Sequence, residues 1–280
     1  WLSERTLGIP PLGTGKTAIA RWPEHKISPG ENFSPQSVNL ISMSGKHSFH
    51  KESVKLRSRF AQKKIVAIPD FMSPERADHI YQALQSIPEE QWFMSCFPII
   101  ESGEEKPRHL PLTPQNRLFI KYFRQIALNH YLDGQFAFRF KRSFLKSSQP
   151  AIKIETQLHA HFSSERILSF VSNIIGQKLT GLYEAFLSNY EAGDFLTWHT
   201  DQPNGTIGFV YYLTQNWDPA WGGQLEFKAL NAAGLYYSHQ PGYNELLLFS
   251  IGDLETIQHQ VVKIADYASG NRLAYSGWFR

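Results

Sequence analysis

Three side chains of metal-binding type lie in the second half of the sequence. His199 and Asp201 are two positions apart, and residues i and i+2 of a β-strand point to the same face. The third, His259, lies in another predicted strand, within the segment Ile257-Gln258-His259-Gln260-Val261. Two histidines and one carboxylate can occupy one triangular face of a metal octahedron and leave the opposite face open. The three residues therefore predict a non-haem Fe(II) site where dioxygen and a co-substrate can both reach the metal.

A fourth residue, Arg272, has a charge that does not suit its position. It lies in the apolar segment 271–279, which is predicted to be a buried strand. A buried guanidinium is costly unless a carboxylate contacts it. A dicarboxylate co-substrate that chelates the metal at one end would present its far carboxylate to such an arginine. We therefore predict that Arg272 binds the co-substrate.

Short strands are predicted to position these four residues. From residue 179 onward, apolar segments of strand length alternate with turn clusters such as Pro203-Asn204-Gly205. The predicted strands are 183–189, 207–213, 223–228, 245–250, 258–263 and 271–279. Strands at this close and regular spacing are typical of a sandwich or a barrel.

Helices and a few strands are predicted before residue 179. The predicted elements are a strand at 65–68, a helix from the Ser73 cap to about residue 86, a polar surface loop at 101–116, a helix at 116–129, a half-buried strand at 136–140, and a helix from 163 to Gly176. His159 and His161 form a second His-x-His pair, but no acidic partner follows, so we interpret them as surface or core histidines.

The first 60 residues differ from the rest in composition. They are rich in Gly, Pro and Ser and show no sustained period, which predicts an irregular arm or linker. The segment Leu12–Thr17 resembles the end of a phosphate-binding loop, but Pro10 stands where the full pattern needs glycine, so a solvated turn is expected. Residues 61–280 are predicted to form the main domain, with its core at about 179–280. Because the chain opens on Trp1, we expect a fragment or a processed product.

Composition excludes several classes of protein. The 280 residues are 42% hydrophobic, which is a globular composition, and no apolar run is long enough to span a membrane. The single cysteine, Cys96, excludes an internal disulfide and a thiolate-built metal site. The excess positive charge lies in residues 1–60, so the main domain gives no strong nucleic-acid signal. With one cysteine and no signal segment, a cytoplasmic location is expected.

The stretch from Tyr190 to Phe279 resembles the 2-oxoglutarate/Fe(II)-dependent dioxygenases of the prolyl hydroxylase type. Several motifs carry the resemblance, in the right order and at compatible spacings: Asn189–Asp201, Tyr211–Trp217, Trp221–Leu225, His259-Gln260-Val261 and Arg272–Phe279. The resemblance implies a mainly β fold with flanking helices, whose core is a double-stranded β-helix related to jelly rolls and cupins.

The resemblance also assigns roles to individual residues. It implies iron ligation by His199, Asp201 and His259, contact of Arg272 with the distal carboxylate of 2-oxoglutarate, a co-substrate pocket lined by Tyr212 and Tyr190, and an apolar pocket wall at Leu225. Related halogenases carry a small residue at the position of Asp201. The aspartate in this chain therefore favours hydroxylation over halogenation. Arg280 is out of register with the second arginine of the alkyl-DNA repair branch, which speaks against nucleic-acid repair.

The expected activity is hydroxylation of an unactivated C–H bond, with Fe(II), 2-oxoglutarate and dioxygen, and with ascorbate as an optional addition. The leading substrate is a prolyl residue of a protein or peptide. One alternative is a free amino acid or a peptide natural product. A further alternative is a non-catalytic scaffold or binding module with the same fold. The sequence leaves the substrate, the oligomeric state and the role of residues 1–60 open.

Overall fold

The computed structural model describes residues 46–101, 103–144, 151–201, 204–229, 237–251 and 257–280, which all lie in one compact unit of the chain. In these ranges there are five α-helices: α1 (Lys46–Lys63), α2 (Pro74–Gln85), α3 (Arg117–Leu132), α4 (Lys153–Phe162) and α5 (Glu165–Ile175). None of the described helices is long and apolar enough to cross a membrane.

Twelve β-strands occur in the same ranges. They are β1 (Ile65–Ile68), β2 (Phe93–Glu101), β3 (Glu104–Pro111), β4 (Phe138–Arg142), β5 (Leu182–Tyr190), β6 (Phe195–His199), β7 (Ile207–Tyr212), β8 (Leu225–Ala229), β9 (Tyr237–His239), β10 (Glu245–Ser250), β11 (Ile257–Val261) and β12 (Arg272–Phe279). All of their pairings are antiparallel, in the order β1-β10-β7-β12-β5-β4-β6-β11-β8-β9, with β2 joining β3 to β4.

The sheet curls around an interior, and helices cover its outer face on one side. This is the predicted double-stranded β-helix with flanking helices. Alternate residues of β7 show the two faces, because Phe209 and Tyr211 pack with the helices while Tyr212 points to the other side. All six residues of β7 are buried, as expected for a strand covered on both faces. The interior side is the one that carries the polar residues discussed below.

Local sequence signals determine the helix ends near this sheet. The Ser73 hydroxyl accepts a hydrogen bond from the backbone N–H of Arg76, with Pro74 at the first position of α2. The Ser164 hydroxyl accepts from the backbone N–H of Ile167 in the same way, and α5 ends at Gly176 with a φ of 76°. These ends agree with the predicted helices, and the strand at 65–68 is confirmed as β1.

Other elements differ from the sequence-based expectation. The arm predicted over residues 1–60 is helical from residue 46 onward, because Leu56 and Phe60, one helical turn apart, pack into the main core. The predicted boundary at 61 therefore falls inside α1. Residues 1–45, including the predicted turn at Leu12–Thr17, lie outside the described residues.

Three further differences concern strands and one helix. The polar loop predicted at 101–116 is largely β3, whose exposed residues pair with β2 at the outside of the sheet. The strand predicted as half-buried, β4, is buried at all five positions, since Arg139 and Lys141 on its polar face make ion pairs. The sequence-based prediction did not include β2, β9 or α4. His159 and His161 lie in α4, where the His161 ring contacts Phe71 and Phe162.

Candidate metal and co-substrate site

Two of the three predicted metal ligands face each other across a pair of strands. His199 is the last residue of β6, and it lies directly opposite His259 in β11. Side chains at opposite positions of an antiparallel pair share a face, and the two imidazole centroids are 4.2 Å apart. The spacing had suggested that Asp201 shares a strand face with His199. Because β6 ends at His199, Asp201 instead approaches the two histidines from the loop that follows the strand.

The Asp201 carboxylate lies between the two rings. Its Oδ1 is 3.3 Å from His199 Nε2, and its Oδ2 is 3.3 Å from His259 Nε2. One ligand atom from each residue lies within 4.8 Å of the others, and within the described ranges these three form the cluster with metal-binding spacing. The Nδ1 of His199 donates to the carbonyl oxygen of Thr197 (2.9 Å), which leaves Nε2 free to face a metal. The structure therefore brings the three predicted ligands together.

The electrostatics of the cluster favour the protonation states that bind a metal. Burial by itself would raise the pKa of Asp201, but the neighbouring His259 and His199 outweigh it and hold this pKa well below its ordinary value. Burial lowers the pKa of His259, against the opposing charge of Asp201. Metal ligands must be deprotonated, so an ionised Asp201 and a neutral His259 are ready to coordinate. Two imidazoles and one carboxylate are the donor set that suits Fe(II) with open positions.

Arg272 lies in the same interior. It begins β12, is 1% exposed and pairs with Tyr190 of β5. Its guanidinium carbon is 5.1 Å from the Tyr190 ring centroid and 5.0 Å from that of Tyr212. Burial is the main cause of the raised pKa of Tyr190, and the charges of Arg272 and Asp201 also affect this pKa. Tyr190 is therefore close to both the arginine and the metal cluster.

Several polar atoms around Arg272 have no hydrogen-bond partner in the described part of the chain. They are Nε and Nη2 of Arg272 and the hydroxyl of Tyr212, all buried. Burial raises the pKa of Tyr212 to about 12, although nearby Arg272 lowers it, so the hydroxyl remains a donor. A buried guanidinium and a buried hydroxyl without acceptors fit a carboxylate supplied by a ligand. The structure therefore suits a dicarboxylate whose far end reaches Arg272.

The other predicted pocket residues have definite places in this interior. Tyr190 stacks on Phe140, with the ring centroids 4.6 Å apart. Leu225 is 2% exposed and lies in β8 two residues before Phe227, whose ring is 5.9 Å from that of His259. Since i and i+2 share a face, Leu225 points to the same interior and can supply an apolar wall.

The structure also shows site residues that the sequence analysis did not identify. Gly223, with a φ of 71°, lies beside Arg272: an added Cβ would be 3.2 Å from Arg272 Cδ and 2.9 Å from Trp217 Cζ2. A glycine is therefore needed for two reasons: its φ is positive, and a Cβ at this position would crowd the Arg272 side chain. Phe136 is partly exposed, and its ring centroid is 6.0 Å from that of His199. The sequence signal for Gly223 is the Trp221–Leu225 segment, which had been used for the family resemblance without a role for this glycine.

Comparison with known proteins gives one family match. The model of the 2OG-Fe(II) oxygenase superfamily matches residues 185–280, which contain the metal cluster and Arg272. No curated protein matches the chain by sequence.

Solved structures resemble the fold at low sequence identity. A prolyl hydroxylase from Trichoplax adhaerens, in complex with a peptide fragment of the hypoxia inducible factor oxygen degradation domain, is 17% identical over 83% of this chain and 90% of its own, with a TM-score of 0.52. An oxidoreductase of the 2OG-Fe(II) oxygenase family from Burkholderia pseudomallei is 14% identical over 81% of this chain and 89% of its own, with a TM-score of 0.50. These likenesses establish the fold.

Proposed function

We propose that the chain is a 2-oxoglutarate-dependent dioxygenase that hydroxylates a prolyl residue of a protein or peptide, since residues 185–280 match the model of the 2OG-Fe(II) oxygenase superfamily. When bound, Fe(II) and 2-oxoglutarate supply the oxidation: dioxygen and 2-oxoglutarate are converted to succinate and carbon dioxide, and one oxygen atom enters the C–H bond of the substrate. The chain itself must hold both groups, orient the substrate and keep water out.

We propose that the metal is bound by His199, Asp201 and His259. The observation that carries the wider proposal is Arg272, whose buried guanidinium has two nitrogen atoms without a partner in the described residues. Because an unpaired buried charge is costly, its retention next to the metal cluster is explained by a carboxylate ligand. Tyr212 adds a hydroxyl donor, and Tyr190 and Leu225 form the walls of this pocket.

The accessible side of the metal cluster indicates where substrate approaches. The His199 side chain is 15% exposed, compared with 9% for Asp201 and 7% for His259. Phe136 lies on the His199 side, and its ring is 5.0 Å from Phe97. These rings offer an apolar wall next to the metal, which suits a saturated ring such as that of proline.

A peptide substrate is also supported by the Trichoplax adhaerens prolyl hydroxylase, whose structure contains a bound peptide. A free amino acid or a peptide natural product is the alternative substrate. A non-catalytic scaffold would have no need for the complete metal cluster together with an unpaired buried arginine.

A substrate screen tests the proposal directly. The Fe(II)-loaded protein is incubated with 2-oxoglutarate and either prolyl peptides, the same peptides with alanine in place of proline, or free proline. Succinate release and a mass gain of one oxygen atom on the prolyl peptides alone are the expected result. Oxidation of free proline alone would favour the amino-acid alternative, and no succinate with any substrate would favour a scaffold.

Two histidine variants serve as matched controls in this screen. His199→Ala removes a proposed ligand, so succinate release should be lost. His79→Ala removes an exposed histidine of α2 and should leave the release unchanged. Equal activity of both variants would contradict the assigned metal site.

A further inference from the structure

A hydrogen-bonded chain of three side chains lies at the edge of the co-substrate pocket. His239, the last residue of β9, donates from Nε2 to Oε1 of Glu245 (2.6 Å), the first residue of β10. The other ring nitrogen of His239 hydrogen-bonds with the Tyr237 hydroxyl (3.1 Å). The side chains of His239 and Glu245 are only 12% and 16% exposed. Both nitrogens of His239 are thus occupied in a largely buried setting, which fixes the ring.

Strand pairing places this chain against two proposed pocket residues. His239 is directly opposite Leu225 in the β9–β8 pair, and Glu245 is directly opposite Tyr212 in the β10–β7 pair. The ring centroid of His239 is 5.7 Å from that of Tyr212. Opposite residues of an antiparallel pair share a face, so His239 and Glu245 point into the same interior as the Arg272 guanidinium.

Glu245 is an acidic residue that shares a neighbour with the arginine, yet it is not the partner of that arginine. Glu245 lies opposite Tyr212, and the guanidinium carbon of Arg272 is 5.0 Å from the ring centroid of the same tyrosine, so both charged residues adjoin Tyr212. Within the described residues, Glu245 hydrogen-bonds with His239, and Nε and Nη2 of Arg272 have no partner. A carboxylate that reached Arg272 would compete with the far carboxylate of the co-substrate.

We propose that His239 is a positioning residue for the co-substrate: by binding Glu245, it keeps that carboxylate away from Arg272. The inference rests on the proposed function, in which Arg272 contacts the far carboxylate of 2-oxoglutarate. Without His239, Glu245 either pairs with Arg272 or remains as an unpaired negative charge beside the incoming carboxylate. Both outcomes weaken binding of a dicarboxylate, and neither affects the end that chelates the metal.

Equilibrium binding to the Mn(II)-loaded protein, which does not turn over, tests this role. Two probes are compared by calorimetry: 2-oxoglutarate, and 2-oxopentanoate, which has the same chelating end but a methyl group in place of the far carboxylate. His239→Ala should raise the Kd of 2-oxoglutarate by roughly tenfold or more, because a like charge is left facing the ligand. The Kd of 2-oxopentanoate should stay at the wild-type value. An equal loss for both probes would overturn the proposal.

Removing the competing charge provides the decisive comparison. In the double variant His239→Ala with Glu245→Gln, the Kd of 2-oxoglutarate should return close to the wild-type value. A merely structural role of His239 predicts no such rescue, so its absence would overturn the proposal. If His239→Ala fails to fold, two other variants can be compared. His239→Gln retains an amide donor toward Glu245 and should bind 2-oxoglutarate more tightly than His239→Leu, which has no donor. Equal binding of 2-oxoglutarate by these two variants would overturn the proposal as well. Failure of the wild-type protein to bind 2-oxoglutarate would instead reject the proposed function.

Discussion

The strongest test of the co-substrate pocket is the replacement of Arg272. Its guanidinium is 1% exposed, so a carboxylate bound there is shielded from water. Truncating one partner of a buried charged pair costs about 3–5 kcal/mol. At 1.4 kcal/mol per tenfold change, Arg272→Ala should raise the Kd of 2-oxoglutarate by about 140- to 3,700-fold. Arg272→Lys keeps the charge but loses the two-pronged geometry, so its Kd should lie between those of wild type and alanine.

The same residue should have the opposite effect on the stability of the protein without co-substrate. Nε and Nη2 of Arg272 are buried and have no partner in the described residues, so the folded state contains two unsatisfied hydrogen-bond donors. Arg272→Met replaces the guanidinium by an apolar side chain of similar length, and we expect the free energy of unfolding to rise, because an unsatisfied buried polar group costs about 1–3 kcal/mol. A co-substrate at 100 times its Kd stabilises the wild type by about 2.7 kcal/mol, and this increment should vanish in the variant.

Calorimetry with Mn(II)-loaded protein measures the Kd, and thermal unfolding with and without 2-oxoglutarate measures the stability. Arg117→Ala, an exposed arginine of α3, is the matched control and should behave as wild type. If Arg272→Ala binds Mn(II) normally and 2-oxoglutarate with the wild-type Kd, the role assigned to Arg272 is wrong.

Four further predictions concern the metal cluster, the glycine beside Arg272 and pH. His259→Ala should lose Fe(II) binding in a metal titration while circular dichroism stays native, because strand pairing holds the site. Asp201→Gly should lose hydroxylation, measured as product oxygen; full activity would place the carboxylate ligand elsewhere. Gly223→Ala should weaken 2-oxoglutarate binding, since a Cβ would be 3.2 Å from Cδ of Arg272 at a φ of 71°. Burial raises the pKa of Glu155 from 4.5 to about 7, so the folded state binds the proton more tightly and stability should fall as pH rises from about 4.5 to 7. Glu155→Gln should flatten this pH dependence in denaturant titrations.

The sequence predicted elements whose signals are local. The serine cap before Pro74 and the glycine at 176 mark helix ends by their own chemistry, and apolar runs such as 245–250 mark buried strands. By contrast, β3 is polar because it lies at the outside of the sheet, so its strand character depends on pairing with β2. The helix α1 has few apolar positions, and only contact of Leu56 and Phe60 with the core distinguishes it from an arm.

The candidate site was predictable from the sequence only in part, as was the fold. The metal ligands were identified from the two-residue spacing of His199 and Asp201 and from the predicted strand around His259, and Arg272 was identified because a guanidinium is unusual in an apolar segment. Gly223 and the pair of His239 with Glu245 were not identified, because their roles come from residues brought near them by strand pairing. No pattern along the chain shows that Glu245 lies opposite Tyr212.

The direct pairing of His199 with His259 has a consequence for the order of events in folding. These residues are neighbours across β6 and β11, but the chain between them contains β7, β8, β9 and β10. Contacts that close such a long loop pay a large entropic cost and form late. The metal therefore has no complete binding site until the sheet has curled, so it cannot act as a folding nucleus. Iron should leave the folding rate unchanged and slow unfolding, which allows the chain to fold first and receive its metal afterwards.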